Sequence, residues 1–120
     1  MKKAALVISH GSRSSKTKEE VIELVNQLKG KTDFSILEYA FLEIETPSIP
    51  EGIDLCVEKG ATIIIVLLNF LNSGRHVDED IPNIIQQSRQ KHKNVSIKIS
   101  RPVGQHPGIL NLFTDLLKST

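Results

Sequence analysis

The segment that most constrains the fold is ATIIIVLL at positions 61–68, eight residues with no charge, five of them β-branched. β-Branched side chains lose rotamer freedom in a helix and pack well on a pleated surface. A run that stays apolar without alternating is the signature of a strand covered on both faces of a parallel sheet. Its continuous apolar part, 63–68, is far shorter than the ~20 residues a membrane-spanning helix needs. A buried parallel strand requires helices on both sides of the sheet, so the rest of the chain is expected to supply them.

The remaining sequence does this in regular alternation. Residues 4–8 form a first apolar run that ends at Ser9-His10-Gly11, too early for the apolar region of a signal peptide, and read as a strand. Thr17-Lys18-Glu19-Glu20 fits a capping box, followed by Val21, Leu24, Val25 and Leu28 at helical spacing and a stop at Gly30. Residues 34–42 form a second extended candidate. Thr46-Pro47 matches a cap followed by proline at the first helical position, with Ile49, Ile53, Cys56 and Val57 on one face and Gly60 as the stop. After the 61–68 strand, a helix is expected over 77–91 with Ile81, Ile84 and Ile85 inward. Residues 95–100 alternate as a half-exposed edge strand should. His106-Pro107 precedes a last helix with Ile109, Phe113, Leu116 and Leu117 expected to face the core.

The pattern βαβαβαβα, without repeat or linker, predicts an α/β fold: a three-layer α/β/α sandwich around a four-stranded parallel sheet. The first and third strands are the most apolar and should be central, and right-handed crossovers then favour the order 2-1-3-4. The length of 120 residues fits one domain, 1–120, by the usual ~100–200 residues per domain. A balance of 15 Lys+Arg against 14 Asp+Glu argues against nucleic acid as a partner, and nothing in the chain suggests a membrane. The single Cys56, at a core-facing helical position and expected to be inert, excludes an internal disulfide. A reducing, cytoplasmic setting is the expectation.

In such a sheet, ligands bind beyond the carboxyl ends of the strands where the strand order reverses, between strands one and three. Immediately after strand one comes Ser9-His10-Gly11-Ser12-Arg13-Ser14-Ser15; after strand three comes Asn69 to Phe70-Leu71-Asn72-Ser73-Gly74-Arg75-His76. Two of the four histidines thus fall on neighbouring loops, on strands spaced ~4.8 Å apart. Either imidazole alone would read as an ordinary packed or solvated side chain. Both together, each beside Gly and Arg, point to an open metal site, since neutral imidazole is the commonest metal ligand. Ser12, Ser14 and Ser15 precede a helix N-terminus, which favours anions, and Arg13 and Arg75 suit carboxylates or phosphates. Glu43 and Glu45 close strand two on the same edge, where a carboxylate would accept protons or serve as an outer ligand. Asp78, Glu79 or Asp80 would orient His76 from behind. His106 reads as a cap for the last helix, and His92 as a cation at a helix end.

Four ordered segments, LVISHGSR (6–13), FLEIETPS (41–48), FLNSGRHVDEDIP (70–82) and PVGQHP (102–107), closely resemble the sirohydrochlorin chelatases of the CbiX/SirB type in their short single-lobe form. The resemblance implies a chelatase-like, flavodoxin-like fold and a class II chelatase. Such an enzyme inserts Co²⁺, Fe²⁺ or Ni²⁺, its metal substrate, into sirohydrochlorin, toward cobalamin, siroheme or a nickel tetrapyrrole. The family's two metal-binding histidines fall on His10 and His76, and its strand-two glutamate on Glu43. His10, His76 and Glu43 are the expected catalytic residues; Ser12, Arg13, Ser14 and Arg75 are expected to bind the carboxylate periphery of the macrocycle. Leu68-Asn69 stand where many members have Pro-Leu, Arg75 is shared with only some members, and no His-rich insertion is present. No phosphate loop with a lysine occurs, so no nucleotide cofactor is expected. Larger relatives face two lobes across a cleft, which implies that this chain supplies the second by homodimerising. Two rival readings use the same residues: a non-catalytic metal carrier or tetrapyrrole-binding module, and a histidine phosphatase, whose Arg-His-Gly motif is weakened here by Ser9.

Overall fold

The computed structural model describes residues 2–120. In chain order the elements are β1 (Lys2–Ser9), α1 (Ser15–Leu28), β2 (Ile36–Phe41), α2 (Ile49–Glu58), β3 (Ala61–Leu68), α3 (Ile81–Lys91), β4 (Ser96–Pro102) and α4 (Ile109–Ser119). A π-helical turn, His76–Asp80, leads into α3, and a 3₁₀ turn, Val103–Gln105, leads toward α4. The four strands form one parallel sheet in the order β2-β1-β3-β4, as expected from the apolar character of β1 and β3.

The two sides of this sheet differ. On one, α2 and α3 close a continuous core: Ile53 and Cys56 of α2, with Ile81 and Ile85 of α3, meet Leu6, Ile8, Ile64 and Val66 of the central strands. Each such side chain removed from water contributes about 1.5–3 kcal/mol. Gly52 lets α2 sit directly on the sheet, because a Cβ there would lie 2.8 Å from the Ala40 Cβ. An Asp54 carboxylate joins the two helices, bonded to His92 Nε2 at 2.7 Å and Lys91 Nζ at 3.0 Å. On the other side, α1 alone covers Ala5, Val7 and Leu37 through Val25, with Leu28 and Leu67 partly buried at the margin.

That asymmetry corrects two expectations. β3 is not covered on both faces: Ile64, Val66 and Leu68 are buried, whereas Ile63, Ile65 and Leu67 on the α1 side are half-buried. The last helix does not pack inward. α4 buries none of its residues, and Phe113, Leu116 and Leu117 are 58%, 62% and 79% exposed. The apolar periodicity is real, but within a single chain no element covers it.

Two caps also shift. α1 begins at Ser15 with Ser14 as its N-cap, two residues before the Thr17 box. α2 is capped by Ser48, whose hydroxyl accepts from the Glu51 N–H while the Glu51 carboxylate accepts from the Ser48 N–H. Thr46 precedes a cis peptide bond to Pro47, and the proline inside the helix is Pro50. Thr46 and Ser48 lie only two residues apart, and the reciprocal Ser48–Glu51 pair satisfies two backbone donors at once.

Candidate functional site

The ladder between β1 and β2 continues past both strands: Leu42 N–H donates to the Ser9 carbonyl at 2.9 Å and Glu43 N–H to the His10 carbonyl at 3.0 Å. This puts His10 and Glu43 side by side as the next rung of the sheet. Their side chains meet, with His10 Nε2 2.7 Å from Glu43 Oε1. Gly11 makes the close approach possible. Its φ is +105°, and a Cβ there would fall 1.9 Å from the Glu43 carbonyl oxygen. Glu45 holds the loop from the other end, accepting from the Ser12 N–H at 3.2 Å. Between the two glutamates, Ile44 is held at φ +71°, a region that β-branched residues avoid. Such strain at a loop beside a candidate reactive group is a common companion of function.

The second loop is fixed to the first by Asn69, whose N–H donates to the Ile8 carbonyl at 2.9 Å and whose side-chain amide donates to Ser9 Oγ at 3.0 Å. The chain then reaches the π turn. Pro82 has no N–H, and in a regular α-helix its ring would collide with the carbonyl four residues back. The wide turn opens just before it, closed by the Ile81 N–H donating to the His76 carbonyl. Within this turn His76 Nδ1 lies 2.8 Å from Asp80 Oδ2.

The result is two imidazoles facing each other across the strand-order reversal, ring centroids 5.1 Å apart and tilted by 38°. Each has one nitrogen held by a carboxylate, Glu43 for His10 and Asp80 for His76, which orients the ring. His10 Nδ1 and His76 Nε2 are the nitrogens left for a ligand. All four side chains are about half exposed, so the pair is open to an incoming ion. Among the described residues, no cluster of three His, Cys, Asp or Glu side chains forms a closed metal cage.

The structure thus brings His10, His76 and Glu43 together. Arg13 and Ser14 lie exposed at the start of α1, on the loop that carries His10, and Ser14 N–H donates to Ser12 Oγ at 3.0 Å. Arg75 precedes His76 and pairs with Glu79 at 3.4 Å on the surface. Among the three acidic candidates behind His76, Asp80 is the one in contact; the four-residue separation on a helical turn was the available signal. Cys56 is fully buried, and burial pushes its thiol up to about 12, consistent with an inert core residue. His106 braces the turn before α4, its Nδ1 accepting from the Gly108 N–H at 2.8 Å. The cap position itself is Gly108.

The profile of the CbiX family matches residues 4–120. The chain belongs to the CbiX family. It is 33% identical over 113 residues to the chloroplastic sirohydrochlorin ferrochelatase of Arabidopsis thaliana, covering 94% of this chain and 50% of that protein. It is 34% identical over 110 residues to the sirohydrochlorin cobaltochelatase of Sulfolobus acidocaldarius, covering 92% of this chain and 85% of that one. The crystal structure of the sirohydrochlorin chelatase SirB from Bacillus subtilis subspecies spizizenii, in complex with cobalt, superposes with a TM-score of 0.90 at 29% identity. That match covers 99% of this chain and 51% of SirB. The CbiX-family chain spans half or less of the length of several such relatives, and most of the Sulfolobus protein. No helix among its described residues is long and apolar enough to cross a membrane.

Proposed function

We propose that this chain is a sirohydrochlorin chelatase, inserting Co²⁺, Fe²⁺ or Ni²⁺ into the free macrocycle. The observation that carries the reading is the His10–His76 pair at the carboxyl edge of the sheet, each ring oriented by its own carboxylate. Insertion exchanges two pyrrole N–H protons for one divalent ion. It therefore needs few and labile ligands on the metal and a base near the ring nitrogens. His10 Nδ1 and His76 Nε2 supply the ligands. Glu43, hydrogen-bonded to His10, accepts a proton directly or through the imidazole. Arg13, Ser12 and Ser14 on the first loop and Arg75 on the second bind the carboxylate periphery. One lobe covers one side of a tetrapyrrole, so the working form is a homodimer, and a chain with one buried thiol suits the reducing cytoplasm. The names of the family relatives, ferrochelatase and cobaltochelatase, support the substrate class and leave two metals on equal footing.

The test is anaerobic mixing with sirohydrochlorin and each of the three ions on one preparation, followed by visible absorbance. Repeated turnover is expected, falling at least 100-fold in His10→Ala and in His76→Ala with the fold intact by circular dichroism. Stoichiometric binding of metal or macrocycle without insertion would overturn the enzyme in favour of a carrier.

A further inference from the structure

Two exposed apolar side chains stand at matching positions on the edge of the sheet that carries the His pair. Among the described residues, the large hydrophobic side chains left open are those of α4, Leu24 and Val103 beside a hollow of about 530 Å³ on the α1 side, and Ile44 and Leu71. Ile44 and Leu71 are each 61% exposed. Ile44 lies three residues past the end of β2 and Leu71 three past the end of β3. In the strand order β2-β1-β3 they therefore flank the loop that carries His10. Single exposed apolar residues are ordinary on a protein surface. A matched pair at a ligand-binding edge is not scattered in that way.

Ile44 is also held where an isoleucine resists being. Glu45 N–H donates to the Glu43 carbonyl at 2.8 Å around an Ile44 φ of +71°, the γ-turn of positive φ, which is rare and strained. Both neighbours are tied to the first loop: Glu43 N–H donates to the His10 carbonyl at 3.0 Å, and the Glu45 carboxylate accepts from the Ser12 N–H at 3.2 Å. Lys18 Nζ donates to the Thr46 carbonyl at 2.7 Å and fixes the chain just beyond. The turn serves the two glutamates, and Gly or Asn at its vertex would hold it with less strain. What the isoleucine adds is an apolar side chain, and the fold gives that side chain little burial in return. The Leu71 backbone is equally fixed. Its carbonyl accepts from the Gln105 side-chain amide at 3.0 Å, and a Cβ on Gly104 would lie 2.0 Å from that oxygen.

A tetrapyrrole combines a flat apolar face with a charged rim. His10 and His76 address the ion at its centre, and the arginines and serines of the two loops address its rim; none of them covers its face. Adjacent strands are only ~4.8 Å apart, so a ring centred between the two imidazoles also overlies the loops beyond β2 and β3. We infer that Ile44 and Leu71 are the apolar seat of the macrocycle face, two contacts on fixed backbone that hold the ring over the His pair. The inference rests on the sirohydrochlorin reading above and names the side chains that favour an apolar-faced ligand over a hydrated anion.

The experiment titrates the full chain anaerobically with metal-free sirohydrochlorin, followed by visible absorbance, and separately with Co²⁺ alone. The variants are Ile44→Asn and Ile44→Gly, both suited to the turn, and Leu71→Asn. Each is expected to raise the Kd for the macrocycle about tenfold or more, as loss of a buried apolar contact should, and to leave the Kd for Co²⁺ within about twofold. The two Ile44 variants are expected to melt no lower than the unaltered protein, because they relieve strain. An unchanged macrocycle Kd in the variants overturns the seat. A lower melting temperature in both Ile44 variants also overturns it, since the side chain would then serve the fold. A change of oligomeric state by light scattering does the same, since the side chain would then serve an interface. Turnover separates the two proposals. Full turnover with an unchanged macrocycle Kd in the variants sinks the seat and spares the chelatase; variant-sensitive binding without turnover in the unaltered protein does the reverse.

Discussion

The side of the sheet under α2 and α3 and the side under α1 are made from the same strands, yet only the first is finished. Under α2 and α3 every large apolar residue of β1 and β3 is buried, and Gly52 is too close to the sheet to tolerate a methyl group. Under α1, Ile63, Ile65 and Leu67 remain half-buried, and Ile65 and Leu67 line open hollows. The closed side positions the site: α3 anchors the π turn that carries His76, and β1 carries His10 from the middle of the packed sheet. The open side contributes nothing to the His pair. The packing that holds the fold and the loops that carry the site thus rest mainly on one face of the sheet.

Substitutions should register that division, beginning with the largest effect. Ile85→Ala, at a site with no exposure, is expected to cost about 2–5 kcal/mol in urea unfolding. A loss below 1 kcal/mol would mean the closed side is less tightly packed than it looks. Gly52→Ala is expected to cost about 1–3 kcal/mol through overpacking against Ala40 and Leu6, seen as a lower denaturation midpoint. Asp54→Asn should cost about 0.5–1 kcal/mol near neutral pH. Partial burial pushes the Asp54 carboxyl up, but the hydrogen bonds from His92 and Lys91 outweigh it and hold it below its ordinary value. The folded state then takes up the proton less readily than the unfolded one. The contribution is complete above about pH 4 and fades as pH falls further, so the two proteins should converge in acid titrations monitored by circular dichroism. The smallest effect is expected on the open side. Leu67→Phe, at a half-buried site beside a hollow, should change the stability of the single chain in urea unfolding by less than about 0.5 kcal/mol. A large cost in the monomer would erase the contrast between the faces.

Much of this was legible in the residues. Charge-free β3 and apolar β1 announced the central strands, and their order alone located the loops carrying His10 and His76. Glu43 and Glu45 were placed by the same route, since the carboxyl end of an adjacent parallel strand lies on the same edge, and the family resemblance alone singled out Glu43. What escaped the sequence has identifiable causes. Periodicity in α4 reveals an apolar stripe but not whether the rest of the chain covers it, so Phe113 and Leu116 were expected inside. The cap of α2 went to Ser48 rather than Thr46 because a reciprocal pair with Glu51 outcompetes a lone threonine before proline. Asp80 differed from Asp78 by its four-residue separation from His76, a signal that Glu79 at three residues nearly shares, and the widened turn that selects Asp80 leaves no mark on the hydrophobic pattern.

The π turn has a consequence for how a site like this is adjusted. Successive residues of a regular helix are about 100° apart in azimuth. Removing one residue between Gly74 and Pro82 would leave α3 seated by Ile81 and Ile85, yet swing the imidazole of position 76 through about that angle. The surplus residue therefore works as a vernier: it sets the bearing of one ligand by whole steps while the hull of the protein stays still. An insertion or deletion here would change the separation of the two rings, and with it the size and geometry of the ion that we propose they take, without rebuilding the core.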